Sequence, residues 1–159
     1  MPQFRHLLAL FTLVTSASVA GAQGSSASDT PLHLAANRFQ FVASGETPPP
    51  EQPLRVHNGG TVRFTDVRLT RLAYADSARG AAWLVVLPRQ SAVAPDELAT
   101  VGTLCIDATG LPAGTYRATA GVIAREVPSP VAIAVTLIVT DAGARAGHAA
   151  GRCGIPVTK

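Results

Sequence analysis

From Leu32 onward, apolar and polar residues alternate in short runs that repeatedly change phase. Leu32 and Leu34 share one parity, and Phe39 and Phe41 share the other. A period of two marks a half-buried strand. A change of phase between two such runs means that the chain swaps faces, as a first strand does when it kinks from one sheet to another. "LRVHNGG" predicts a short strand ending in a turn at Asn58-Gly59-Gly60. "TVRF" and "VRLTRLAY" alternate again, with a phase break near Asp66. "AWLVVL" stops at Pro88, and "TLCIDA" sets Leu104 and Ile106 on one face and Cys105 on the other. "TYRATAGV" groups Tyr116, Ala118, Ala120 and Val122, and "VAIAVTLIV" lines Val131 to Val139 along one face at every second position.

The pattern predicts seven or eight short strands with a turn signal between each pair. Helical spacing is weak and confined to "SAVAPDELA", Ser91 to Ala99. The proline-rich "SGETPPPEQP" is a connection, since proline cannot serve a central strand. These features imply an all-β, Ig-like chain: an antiparallel two-sheet Greek-key sandwich, not a βαβ fold.

"DATGLPAGTYRATA", Asp107 to Ala120, interrupts the strands with Gly110, Pro112 and Gly114, then opens a new strand at a lone tyrosine. A chain crossing between sheets leaves backbone groups unpaired, and burying them so is costly. A tyrosine just past the crossing can fold its hydroxyl back onto that backbone, which is the tyrosine corner of such sandwiches. Leu111 is then the core plug, Pro112 and Gly114 make the bend, and Tyr116 is the tie. An ordinary hairpin with a half-buried tyrosine is the plainer alternative.

The ends change the picture. Arg5 and His6 precede "LLALFTLV", an apolar stretch too short to span a bilayer, and small residues follow to Ala20-Gly21-Ala22. This reads as a secretory signal peptide over residues 1–22, cleaved after Ala22. Residues 23–31 form a Ser-rich flexible lead-in, residues 32–141 the sandwich, and residues 142–159 a Gly/Ala-rich tail carrying Cys153. The expected destination is the bacterial periplasm or the exterior.

Without Arg5, 12 basic side chains stand against 10 acidic ones, and the basic ones are scattered singly. No patch suits nucleic acid, and no later apolar run reaches membrane length. Cys105 and Cys153 are both outside the leader, in a chain bound for a compartment where disulfides persist. Cys105 should point away from the core, so a bond to Cys153 would tie the tail across the sheet and let "IPVTK" add edge pairing. Free thiols, or a bond between chains, are the alternatives.

No G-x-S-x-G, H-E-x-x-H, phosphate loop or C-x-x-C occurs, so no catalytic residue is assigned. Ser77, His57 and Asp66 could be drawn as a triad, but no spacing supports it. His33 and His57 read as partly exposed strand residues. Asp66 and Asp76 lack the ligand series of a calcium loop. No cofactor or metal is implied. Trp83 has two readings: a stacking platform for sugar, with Tyr74 as the second, or a packed tryptophan near the corner, which is favoured.

"AAWLVVLPRQSA", "ATGLPAGTYRATAGVIA" and "SPVAIAVTLIV" resemble the later strands of BACON domains and related bacterial Ig-like modules, and "PLHLAANRFQF" and "PLRVHNGG" are similar to their first two. The stretch from Thr65 to Ala81 is longer than that pattern, and the cysteine-bearing tail is additional. The resemblance implies a non-catalytic exported module that binds a surface carbohydrate or glycoprotein, or acts as a spacer. The other reading is an adhesion or assembly subunit that pairs an edge strand with a protein partner.

Overall fold

The computed structural model describes residues 30–44, 48–75, 82–146 and Cys153. The signal peptide, most of the lead-in and "IPVTK" lie outside them. Among the described residues nine strands and one short helix follow in order: β1 Leu32–Leu34, β2 Arg38–Ala43, β3 Gln52–Asn58, β4 Arg68–Leu69, β5 Ala73–Tyr74, β6 Leu84–Pro88, β7 Leu98–Ile106, β8 Gly114–Ile123, β9 Val131–Val139 and α1 Asp141–Ala146. They build two facing sheets. One runs β1-β3-β7-β6, and the other runs β2-β9-β8-β4, with β5 also on β8. The chain is an Ig-like β-sandwich.

The phase change after Leu34 is a change of sheet. The Ala35 amide still donates to Arg55 in the first sheet, while the Asn37 carbonyl already accepts from Ala134 in the second. The crossing therefore takes two residues, and Leu32, Phe39 and Phe41 all reach one core. The second sheet is not wholly antiparallel: β2 runs parallel to β9, Phe39 beside Val135 and Phe41 beside Leu137. Alternation cannot foretell this, because it fixes which face a residue takes and not the direction of its neighbour.

Two expected elements differ. "TVRF" is a loop, and one isolated bridge joins its Phe64 to Val93 in the connection between β6 and β7. At the phase break Asp66 takes φ 53°, a left-handed conformation that Asp tolerates better than most residues. "VRLTRLAY" is one strand cut in two. Thr70 pairs with Gly121 and Ala73 with Thr119, so three steps along one chain match two along the other, a β-bulge at Arg71-Leu72. Ser91 to Ala99 forms no helix; Ala94 donates its amide to the Glu97 carboxylate at 2.7 Å, which holds that acid below its usual pKa.

Helix appears instead after β9. Thr140 caps it, its hydroxyl accepting from the Gly143 amide at 3.2 Å. A Cβ at Gly143 would strike the Ala43 carbonyl, so this glycine lets α1 sit against the end of β2. At the opposite end of the sandwich Asn58 is wholly buried. Its amide donates to the Val62 and Val93 carbonyls, and its Oδ1 accepts from Gly60. Every polar atom of this side chain is thus used to join two loops.

Candidate functional site

The Tyr116 side chain is buried and its hydroxyl donates to the Pro112 carbonyl at 2.8 Å, four residues back across the bend. Gly114 has φ 157° and Gly110 has φ 72°, the latter a left-handed position suited to glycine. Leu111 is buried in the core cluster. Cys105 and Cys153 are bonded, with Cα atoms 5.7 Å apart. Cys105 pairs with Val85 of β6, opposite in facing to Leu104 and Ile106, so the bond lies on the outer face of its sheet. These groups hold the scaffold.

Trp83 does not make a platform. It is 1% exposed, and its ring meets Tyr74 edge-on at 5.7 Å between centroids. A sugar needs an open ring face, and the core takes this one. Tyr74 is half-buried, and its hydroxyl donates to the Leu84 carbonyl at 3.4 Å. Burial pushes its phenol above the usual tyrosine range, against the smaller effect of its backbone hydrogen bonds. Phe39, Phe41 and Phe64 are also in the core. The large apolar side chains exposed among the described residues are Val42, Val62 and Leu98, none aromatic.

His33 and His57 face each other across β1 and β3, ring centroids 6.1 Å apart. Asp66 is ion-paired with Arg68. Nothing brings His57 and Asp66 together, and Ser77 and Asp76 lie outside the described residues. Among the described residues no group of three His, Cys, Asp or Glu could hold a metal ion, and no helix is long and apolar enough to cross a membrane.

What the sandwich does offer is sheet edges, and they are unequal. The β1 edge is three residues long, beside a hollow of about 430 Å³ between His33 and Ala132. The β6 edge is closed at both ends. Tyr74 occupies the Leu84 carbonyl, and Pro88 has no N–H to present. The β4–β5 edge is two pieces of two residues split by the bulge. The β2 edge is six residues, Arg-Phe-Gln-Phe-Val-Ala, with no proline, lysine or bulge. Asn37 and Ala43 turn their carbonyls to β9 and β9's end, so Phe39 and Phe41 do likewise, and Arg38, Gln40 and Val42 point their backbone groups outward. All three side chains are exposed, Val42 by 45%. One contact covers part of this edge: the Gln52 side-chain amide donates to the Gln40 carbonyl at 2.8 Å.

Sequence reasoning missed Arg38, Gln40, Val42 and Gln52. "RFQFV" shows the alternation, but nothing in it tells that the strand lies at a border.

No family model matches the chain, and no curated protein matches it. Solved structures do. It is similar to the ASH / PapD-like domain of human CEP192 (PapD-like domain 7) at 12% identity and TM-score 0.48, covering 85% of this chain and 98% of that one. It is similar to the E. coli chaperone DraB at 13% identity and TM-score 0.46, covering 70% of this chain and 56% of that one. It is similar to the Pseudomonas aeruginosa CupB2 chaperone at 17% identity and TM-score 0.45, covering 68% and 56%. The chain thus spans little more than half the length of those two chaperones. The BACON assignment is overturned: these neighbours are PapD-like and chaperone-type domains. The segments behind it fall on β6, the corner before β8, and β9. A proline-ended strand, a tyrosine-tied corner and a valine-rich strand are what an Ig-like sandwich needs in general, so they do not select one family.

Proposed function

We propose that this protein is a non-catalytic, exported binding module whose partner is another protein, taken up as an added strand on β2. The observation that carries this reading is the edge itself. Arg38, Gln40 and Val42 present outward backbone groups on a strand with no proline, lysine or bulge, covered by Gln52 at the Gln40 carbonyl alone among the described residues, while the other borders are short, broken or capped. An extended segment laid there would gain a ladder of main-chain bonds. Export is supported by the leader-like first 22 residues and by the disulfide.

A glycan partner is disfavoured, because stacking needs an exposed ring and Trp83 has none to give. The test uses amide exchange. In the free protein the Gln40 and Val42 amides should exchange fast and the Phe39 and Phe41 amides slowly. A protein ligand retained by the wild type should protect Gln40 and Val42 and should be lost by Gln40→Pro, which removes an outward N–H and no bond to β9. Gln40→Lys serves as a second edge variant if the proline lowers stability. A ligand that binds both variants as well as the wild type, or a glycan-array signal with no protein ligand, overturns the reading.

A further inference from the structure

Backbone pairing is indifferent to sequence, so an open edge selects its strand through the side chains beside it. On the outer face of the five-stranded sheet the border row is Arg38, Gln40 and Val42. Behind it β9 presents Ala134, Thr136 and Ile138, paired with them in that order. Strands β2, β8 and β9 contain two arginines, Arg38 and Arg117, and no Asp or Glu. Among the described residues the ion pair formed is Arg68 with Asp66, and neither Arg38 nor Arg117 takes part in one. The border is therefore cationic at one end and apolar at the other, where Val42 lies against Ile138.

We propose that the strand β2 accepts is an acidic extended segment of another protein, with a carboxylate opposite Arg38 and an apolar side chain opposite Val42. This rests on the edge-addition reading above. Directly opposed side chains on one face come within about 5.5 Å at Cβ, close enough for the guanidinium to bind the carboxylate. Side chains share a face at every second residue, so the two anchors stand four positions apart in the partner, with the residue facing Gln40 midway. An antiparallel partner reads apolar-x-polar-x-acidic, and a parallel one reads the reverse. A second copy of this chain fits less well. Antiparallel pairing about Gln40 would set each Arg38 against Val42 of the other copy, leaving both guanidiniums without a carboxylate and joining two cationic faces.

The probes are acetylated, amidated peptides with the core Ile-Thr-Gln-Thr-Glu, its reverse Glu-Thr-Gln-Thr-Ile, and the same pair with Lys for Glu. They are titrated into the full chain with NMR detection at low salt. One Glu peptide should bind and shift the Arg38, Gln40 and Val42 amides, and its Lys counterpart should bind about two- to five-fold more weakly. Arg38→Glu should reverse that order, Arg38→Lys should keep it, and added salt should shrink the preference. Glu and Lys peptides that bind equally at the same amides overturn the acidic selection and leave edge addition standing. No peptide binding, together with a doubled mass that Val42→Lys abolishes, makes the second copy the occupant and overturns the proposal. No peptide binding and no self-association overturn the proposal and the edge reading together.

Discussion

The five-stranded sheet ends in two different ways. Along β2 the border is six continuous residues, its outward side chains Arg38, Gln40 and Val42 are exposed, and one of its carbonyls is covered by the Gln52 side chain. Along β4 and β5 the border is broken by a bulge, and its lower end is fastened to the opposite sheet through Tyr74, which meets Trp83 by its ring and Leu84 by its hydroxyl. The same sheet thus has one side closed by side chains from within the molecule and one side left to solvent. An added strand needs unspent backbone donors and acceptors in register over several residues. The β2 side has them at Arg38 and Val42 and at the Gln40 amide, the Gln40 carbonyl being taken by Gln52. The bulge and the aromatic pair remove them from the other.

The comparison breaks most visibly at Trp83. Trp83→Ala should cost about 3–5 kcal/mol, because it deletes a buried ring on the closed side. Denaturant midpoints check this, and a loss near zero would mean that the closed side is not packed as described. A pair of prolines gives the next largest effect. The Ala75 amide donates to Arg117, and Ala73 has the same parity after the bulge, so Ala73→Pro removes a ladder bond to β8 and should cost about 1–3 kcal/mol. Gln40→Pro removes an outward N–H and should change stability by about 0.5 kcal/mol or less. Equal losses would erase the distinction between the borders.

Tyr74→Phe should cost about 1 kcal/mol near neutral pH, the net worth of an ordinary hydrogen bond. It also has a pH signature. Burial raises the phenol in the folded state, so the unfolded chain ionises first. The stability linked to this group is complete below the usual tyrosine pKa and is lost as pH rises through it toward the folded value. Wild type should therefore weaken above about pH 10 more than Tyr74→Phe does, as thermal melts across that range would show. Parallel slopes would mean that the hydroxyl is solvated. The smallest effect belongs to Gln52→Ala. Its hydrogen bond is exposed, so stability should fall by less than about 0.5 kcal/mol, while peptide binding at β2 should rise because the Gln40 carbonyl is freed. Weaker peptide binding in this variant would show that Gln52 helps the edge instead of capping it.

Much of the architecture is legible in the chain before any coordinate. The phase change between Leu34 and Phe39 is the crossing between sheets, because alternation reports which face a side chain seeks and a buried face tolerates no slip. The opposite parity of Cys105 to Leu104 and Ile106 puts its sulfur outside the core, where Cys153 meets it. These are local facts of a period-two chain, and sequence by itself determines them. Three others belong to the tertiary structure alone. The direction of β2 beside β9 depends on a pairing that joins residues about a hundred positions apart. The fate of Trp83 depends on which elements cover it, and the same residue would serve a core or a platform. The border role of β2 depends on no further strand lying beside it among the described residues, and a strand's own residues carry the same alternation whether one neighbour or two satisfy its backbone. Edges are relations between strands, so they exist only once the sheet is assembled.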